Sequence, residues 1–182
     1  MTDPRLRLLL TRAYFLEYTD ERHPVSVAGL IAYLECEGLS VDRRAVYSDI
    51  ALLRESGMKI AQRRGPVSGY YLEAREFEVP EVRLLVDMVQ SSRVLTQAKS
   101  DTLIAKLCGL TSRAEAAELR RSVRLKNRLK AADETAFHNF ETVCDALAAG
   151  RKLSFLYCRH APGKAPQPRR SGQTYVVSPC FL

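Results

Sequence analysis

Apolar residues recur at helical spacing from the start of the chain. Asp3-Pro4 offers a capping side chain and a proline at the first helical position. Leu6, Leu9, Ala13 and Leu16 follow three or four residues apart, and the run ends near Thr19-Asp20. Ser26 opens a second helix with Leu30, Ile31 and Leu34 on its inner side, and Gly38 stops it as a left-handed residue. Only Leu39 separates that glycine from Ser40, which reads as the cap of a third helix. Val46, Ile50 and Leu53 stripe this helix until Gly57. Residues 59–62 and 70–72 read as strands around the turn 63–69. Three helices, with a tight turn between the second and third, then a hairpin, make a winged helix-turn-helix.

Beyond residue 76 the pattern becomes mostly helical. Pro80 opens a helix carrying Leu84, Leu85, Met88 and Val89. A second spans roughly Thr96 to Leu110 with Leu103, Ile104 and Leu107 inside, and Ser112-Arg113-Ala114-Glu115 is a capping box for a third. Val123, Leu125 and Leu129 then alternate with Arg124, Lys126, Arg128 and Lys130, a period of two that fits an extended rail with one cationic side. Asn139 reads as the cap of a last helix bearing Phe140, Val143, Cys144 and Leu147 up to Gly150. Residues 152–158 and 174–178 read as two strands around a Pro/Gly/Arg loop. The expected fold is mainly α with small β, divided into residues 1–75, a helical linker at 76–132, and a third region at 133–182.

Composition narrows the function classes. The 182 residues are 46% hydrophobic and 27% charged, ordinary for a globular chain. No apolar run is long enough for a membrane span and the N-terminus lacks a signal-peptide shape, so the expectation is a soluble cytoplasmic protein. Five scattered cysteines without a Cys-x-x-Cys pair suit reduced, mostly buried thiols; three separated histidines cluster with none of them, so no metal site is expected. Basic residues number 28 against 21 acidic, a net charge of +7 that favours a polyanionic partner. The N-terminal third is nearly neutral, so nucleic-acid binding there depends on local placement rather than bulk charge.

That placement is found on the third helix. At about 100° per residue, Arg44, Ser48 and Ala51 lie opposite the Val46/Ile50/Leu53 stripe, flanked by Arg43 and Tyr47. Two cations at a helix N-terminus oppose its dipole, a cost offset by a phosphate or base partner. In helix-turn-helix docking that end enters the major groove, where arginine can bond guanine O6 and N7. A second pair, Arg63 and Arg64, stands at the hairpin turn, placed to reach the sugar-phosphate backbone. The candidate DNA-binding residues are Ser40, Arg43, Arg44, Ala45, Tyr47, Ser48, Arg63 and Arg64. Arg124, Lys126, Arg128 and Lys130 are candidates for further backbone contacts or for a solvated linker.

The segments 42–50, Leu53-Arg54-Glu55-Ser56-Gly57 and Gly69-Tyr70-Tyr71-Leu72 resemble the N-terminus of bacterial WYL-domain transcriptional regulators. Leu84-Leu85-Val86-Asp87, Gln90-Ser91-Ser92-Arg93 and Lys99-Ser100 resemble the linker of those proteins. Leu153-Ser154-Phe155, Tyr157 and Tyr175-Val176-Val177-Ser178-Pro179 resemble the opening of the WYL domain. The resemblance implies a winged-helix DNA reader, a helical linker, an Sm-like β-barrel that senses a nucleotide or nucleic-acid ligand, and a homodimer. Ala45 and Ser48 replace a threonine and an arginine common in that helix, and the chain contains no tryptophan. With only two strands recognisable after Gly150, the expected barrel is incomplete within these residues, and no ligand-binding residue is carried over.

The expected function is a sequence-specific DNA-binding transcription regulator without catalytic activity or cofactor. Two alternatives stand beside it: a winged-helix protein-interaction module, which would present apolar residues at positions 44, 48 and 51, and a regulatory fragment of an enzyme. The sequence carries no phosphate loop, dinucleotide fingerprint or Gly-x-Ser-x-Gly elbow.

Overall fold

The computed structural model describes residues 3–122, 130–131, 134–159, 167–169 and 172–181. The chain divides into two compact units, Met1–Ser92 with Ala98–Arg128, and Arg93–Gln97 with Leu129–Leu182. The first unit holds α1 (Pro4–Tyr18), α2 (Val27–Cys36), α3 (Arg43–Glu55), β1 (Ile60–Arg63), β2 (Gly69–Leu72), α4 (Val79–Ser91), α5 (Gln97–Cys108) and α6 (Arg113–Ser122). The second holds α7 (Thr135–Ala148), β3 (Leu153–Leu156), β4 (Cys158–Arg159), β5 (Gln167–Pro168) and β6 (Thr174–Val177).

Local chemistry sets the helix ends. Asp3 accepts from the Arg5 N–H at 2.9 Å, and Ser26 accepts from the Gly29 N–H at 3.0 Å. Gly38 and Gly57 take φ of 81° and 98°, a region costly for residues with a Cβ, and each lets the chain leave its helix sharply. The third helix starts later than expected. Its cap is Asp42, whose Oδ1 accepts from the Ala45 N–H at 2.7 Å, while Ser40 lies two residues outside. A carboxylate at this position complements the helix dipole better than a hydroxyl does, and it tempers the two arginines that follow.

Phe15, Leu30, Leu34, Val46, Ile50, Leu53, Ile60 and Leu72 form the core of the winged helix. On α1 the inner side is not the expected one: Leu6, Leu9 and Ala13 are exposed, and Leu8, Thr11 and Phe15 turn inward. Leucines at 6, 8, 9 and 10 surround the helix on all sides, and Phe15, fully buried, fixes its rotation. The wing strands pair antiparallel, Ile60 with Leu72 and Arg63 with Gly69. Val25 joins β2 by an antiparallel bridge, exchanging hydrogen bonds with Tyr70, 2.8 and 2.7 Å long. A Cβ at Gly69 would stand 2.4 Å from the Val25 carbonyl oxygen, so only glycine admits that approach.

A second core gathers Val82, Val86, Ile104, Cys108, Ala116 and Leu119 from α4, α5 and α6. The expected face of α4 is thus displaced: Leu84 and Met88 are both 59% exposed, while the narrower valines allow close packing. The capping box forms as read, with Ser112 N–H donating to Glu115 at 3.0 Å and Glu115 N–H donating to Ser112 Oγ at 3.2 Å. Ser112 Oγ also donates to Asp20 at 2.5 Å, docking α6 on the loop after α1.

In the second unit α7 begins at Thr135, so Asn139 is not its cap but an exposed residue of its second turn. An outward-facing asparagine inside a helix costs only a few tenths of a kcal/mol, less than a shortened helix would. The expected strand at 152–158 is interrupted at Tyr157; β3 pairs antiparallel with β6 and β4 with β5. A closed barrel is not formed by the described strands, which make separate two-stranded pieces. Among the cysteines only Cys108 is buried; Cys36 and Cys180 are exposed. Among the described residues no helix is long and apolar enough to cross a membrane.

Two polar contacts inside the first unit generate tests. Arg7 donates to both Asp49 oxygens, at 2.7 and 2.9 Å, and the Asp49 side chain is only 2% exposed. Arg7→Ala leaves a buried carboxylate unpaired, so urea denaturation should show a loss of about 3 to 5 kcal/mol, most of it recovered when Asp49 is replaced by leucine as well. Burial alone would raise the Asp20 carboxyl, but hydrogen bonds from Ser112, His23 and the Arg22 N–H bring it below its ordinary 3.8. With a lowered folded-state pKa, Asp20 stabilises the fold fully above pH 3.8 and loses that contribution as the pH falls below it. Urea midpoints at pH 7 and pH 3 should therefore differ less in Asp20→Asn than in the native chain.

Candidate nucleic-acid interface

The orientation of α3 follows from what its inner side must bury. Val46, Ile50 and Leu53 enter the core, and the bidentate Arg7–Asp49 pair clamps the same side to α1. At 3.6 residues per turn this turns Arg43, Arg44, Tyr47, Ser48 and Ala51 to solvent, and all five are exposed. Tyr47 is 48% exposed, a large aromatic surface beside two cations. Ala45 is only partly buried, and Ser40 is exposed before the helix begins. The residues expected on the reading face are brought together there, with Ser40 set apart from the helix itself.

Charge at this surface is uncommitted. The nearby carboxylates that could have neutralised the arginines are engaged elsewhere: Asp42 on the Ala45 N–H, Asp49 on Arg7. Among the described residues Arg43 and Arg44 form no ion pair. Their guanidinium groups therefore stay available for a planar acceptor such as a phosphate or a guanine edge.

The two wing arginines part company. Arg63 turns back and donates through Nη1 to the Glu21 carbonyl at 2.8 Å, making it a brace between the wing and the α1–α2 loop. Arg64 lies at the exposed tip, followed by Gly65 with φ 124°. The base of the wing is fixed to α3 by Arg54, which donates to the Ile60 carbonyl at 2.8 Å and lies over the Tyr70 ring, 5.6 Å from its centroid. Arg54, Arg63 and the Arg7–Asp49 pair were not legible as positioning residues, because their partners lie on other elements and leave no local period. Of the cationic rail, Arg124, Lys126 and Arg128 fall outside the described residues, and Lys130 is partly buried.

A serine, an aspartate and a histidine also meet, away from α3. Asp20 stands between Ser112, 2.5 Å away, and His23 Nδ1, 2.8 Å away. A nucleophile relay requires the imidazole to take the serine proton. Here the hydroxyl donates to the carboxylate and caps α6, so the arrangement holds elements together. His138 is exposed and faces Glu141 at 3.2 Å. Among the described residues no three His, Cys, Asp or Glu side chains group as metal ligands.

A family model described as an HTH domain matches residues 36–71, which run from the end of α2 through α3 to β2. Neither the curated proteins nor the solved structures gave a match. The matched segment contains the exposed arginine face and the wing, and it supports a DNA-binding regulator built on a helix-turn-helix.

Proposed function

We propose that this chain is a sequence-specific, non-catalytic transcription regulator that inserts α3 into the major groove and lays its wing on the sugar-phosphate backbone. The observation that carries this reading is the solvent face of α3: two arginines without acidic partners among the described residues, a tyrosine and small residues, all turned outward by one buried stripe and one part-buried ion pair. A protein-interaction helix would show apolar residues there. The second unit is the opening of a domain of the WYL kind, which would sense a nucleotide or nucleic-acid ligand when complete; residues 133–182 by themselves do not, a reading that rests on the sequence resemblance. Binding as a homodimer to two half-sites follows from the same resemblance, with Leu84 and Met88, exposed one turn apart on α4, offering apolar contact surface.

Arg44→Ala should weaken the cognate duplex by about 1 to 3 kcal/mol and flatten base preference at one position in a selection from randomised duplexes. Unchanged preference would exclude Arg44 as a base reader. Arg64→Ala should weaken all duplexes alike and lower the slope of log affinity against log salt by about one unit. If the slope is unchanged, the wing tip does not touch phosphate.

A further inference from the structure

The loop between α1 and α2 is bonded on both sides, and its two sets of partners belong to different parts of the first unit. Asp20, 5% exposed, gathers its donors around one carboxylate: the Ser112 hydroxyl at 2.5 Å, His23 Nδ1 at 2.8 Å, and the N–H groups of Arg22 and His23 at 2.9 and 3.0 Å. The loop is thus folded about a charge whose donor from outside the loop is the capping residue of α6, 92 residues away. The next residue faces the wing, since the Glu21 carbonyl holds Arg63. Further along, Val25 pairs with Tyr70, and at the loop's start Thr19 Oγ1 accepts from the Leu72 N–H at 3.1 Å. Both strands of the wing therefore hang on the loop that clasps the α6 cap.

We propose that this loop is a coupling element: seating or release of the α6 N-terminus at Asp20 is transmitted to the wing through Glu21 and Val25. Without the Ser112 hydroxyl a buried carboxylate loses one donor, and a loop tied to it by two of its own N–H groups readjusts. The Glu21 carbonyl lies within that turn, so the Arg63 brace shifts with it. The consequence for DNA, which rests on the function proposed above, is that a change at α6 alters backbone contact by the wing and leaves base reading by α3 intact.

Amide hydrogen exchange on the full chain reads the coupling without DNA. Ser112→Ala should raise exchange across residues 60–63 and 69–72 at least threefold with α2 unchanged, and Ser112→Thr, which keeps cap and hydroxyl, should restore native rates. Arg113→Ala, which removes the exposed pair with Glu17 and the guanidinium over the Tyr18 ring but keeps the Ser112–Asp20 bond, should leave the wing alone. If Ser112→Ala fails to fold, Asp20→Asn is read in the same way. Unchanged wing exchange, or a rise spread equally over α2 and α3, overturns the proposal. With duplex DNA, Ser112→Ala should lower affinity several-fold in the native background and by clearly less in an Arg63→Ala background, where of the two proposed links only Val25–Tyr70 remains; fully additive losses overturn it. A chain that binds no duplex at all refutes the proposed function, while the exchange result still decides the coupling.

Discussion

One ion pair, with its carboxylate buried and its guanidinium partly so, governs which side of the third helix meets solvent. Arg7 and Asp49 join α1 to α3 across 42 residues of sequence, and the pair sits beside the Val46/Ile50/Leu53 stripe. Apolar burial alone would tolerate some rotation of α3 about its axis, since a stripe of leucine, valine and isoleucine is forgiving of small turns. A bidentate guanidinium–carboxylate contact is not, because both hydrogen bonds are lost when either plane tilts. Energetically such a pair adds little over a well-packed apolar alternative, so its value here is geometric. It also occupies Asp49, which together with the capping Asp42 is a carboxylate close in sequence to Arg43 and Arg44.

The placement of those arginines is then a problem of local electrostatics that the helix has partly solved. Asp42 caps α3 and puts a negative charge against the positive end of the dipole, reducing the cost of the cations that follow. What remains is an exposed positive surface on a winged helix whose sequence as a whole is nearly neutral. Charge concentrated on one helix end and one hairpin tip focuses a field better than the same charge spread over the surface.

How much of this was legible in the sequence depended on the range of the interaction. Caps and stops are local, and Asp3-Pro4, Ser26, Gly38, Gly57 and the Ser112 box marked helix ends correctly. The α3 stripe was legible because polar residues separate its members. On α1 the leucines crowd every side, and the periodicity could not show that Phe15 sets the rotation. Asn139 misled because a capping residue type also survives on an exposed helix surface. Ser40 misled because Asp42, two residues later, is a stronger acceptor for the same end. Arg63 read as a phosphate contact because sequence shows a basic pair, whereas its bond to the Glu21 carbonyl depends on how the hairpin lies against a distant loop. The Asp20–Ser112 contact, linking residues from opposite ends of the first unit, left no sequence signal beyond the cap itself.

The central claim is that α3 and the wing tip form one DNA-facing surface. Its most direct test is backbone amide shift mapping as short duplex DNA is added to the full chain. The account predicts that the largest shifts fall on residues 43–48 and 64–68, weaken with salt, and spare the outer side of α4. Shifts concentrated on α4 or on the second unit, with α3 unmoved, would contradict it.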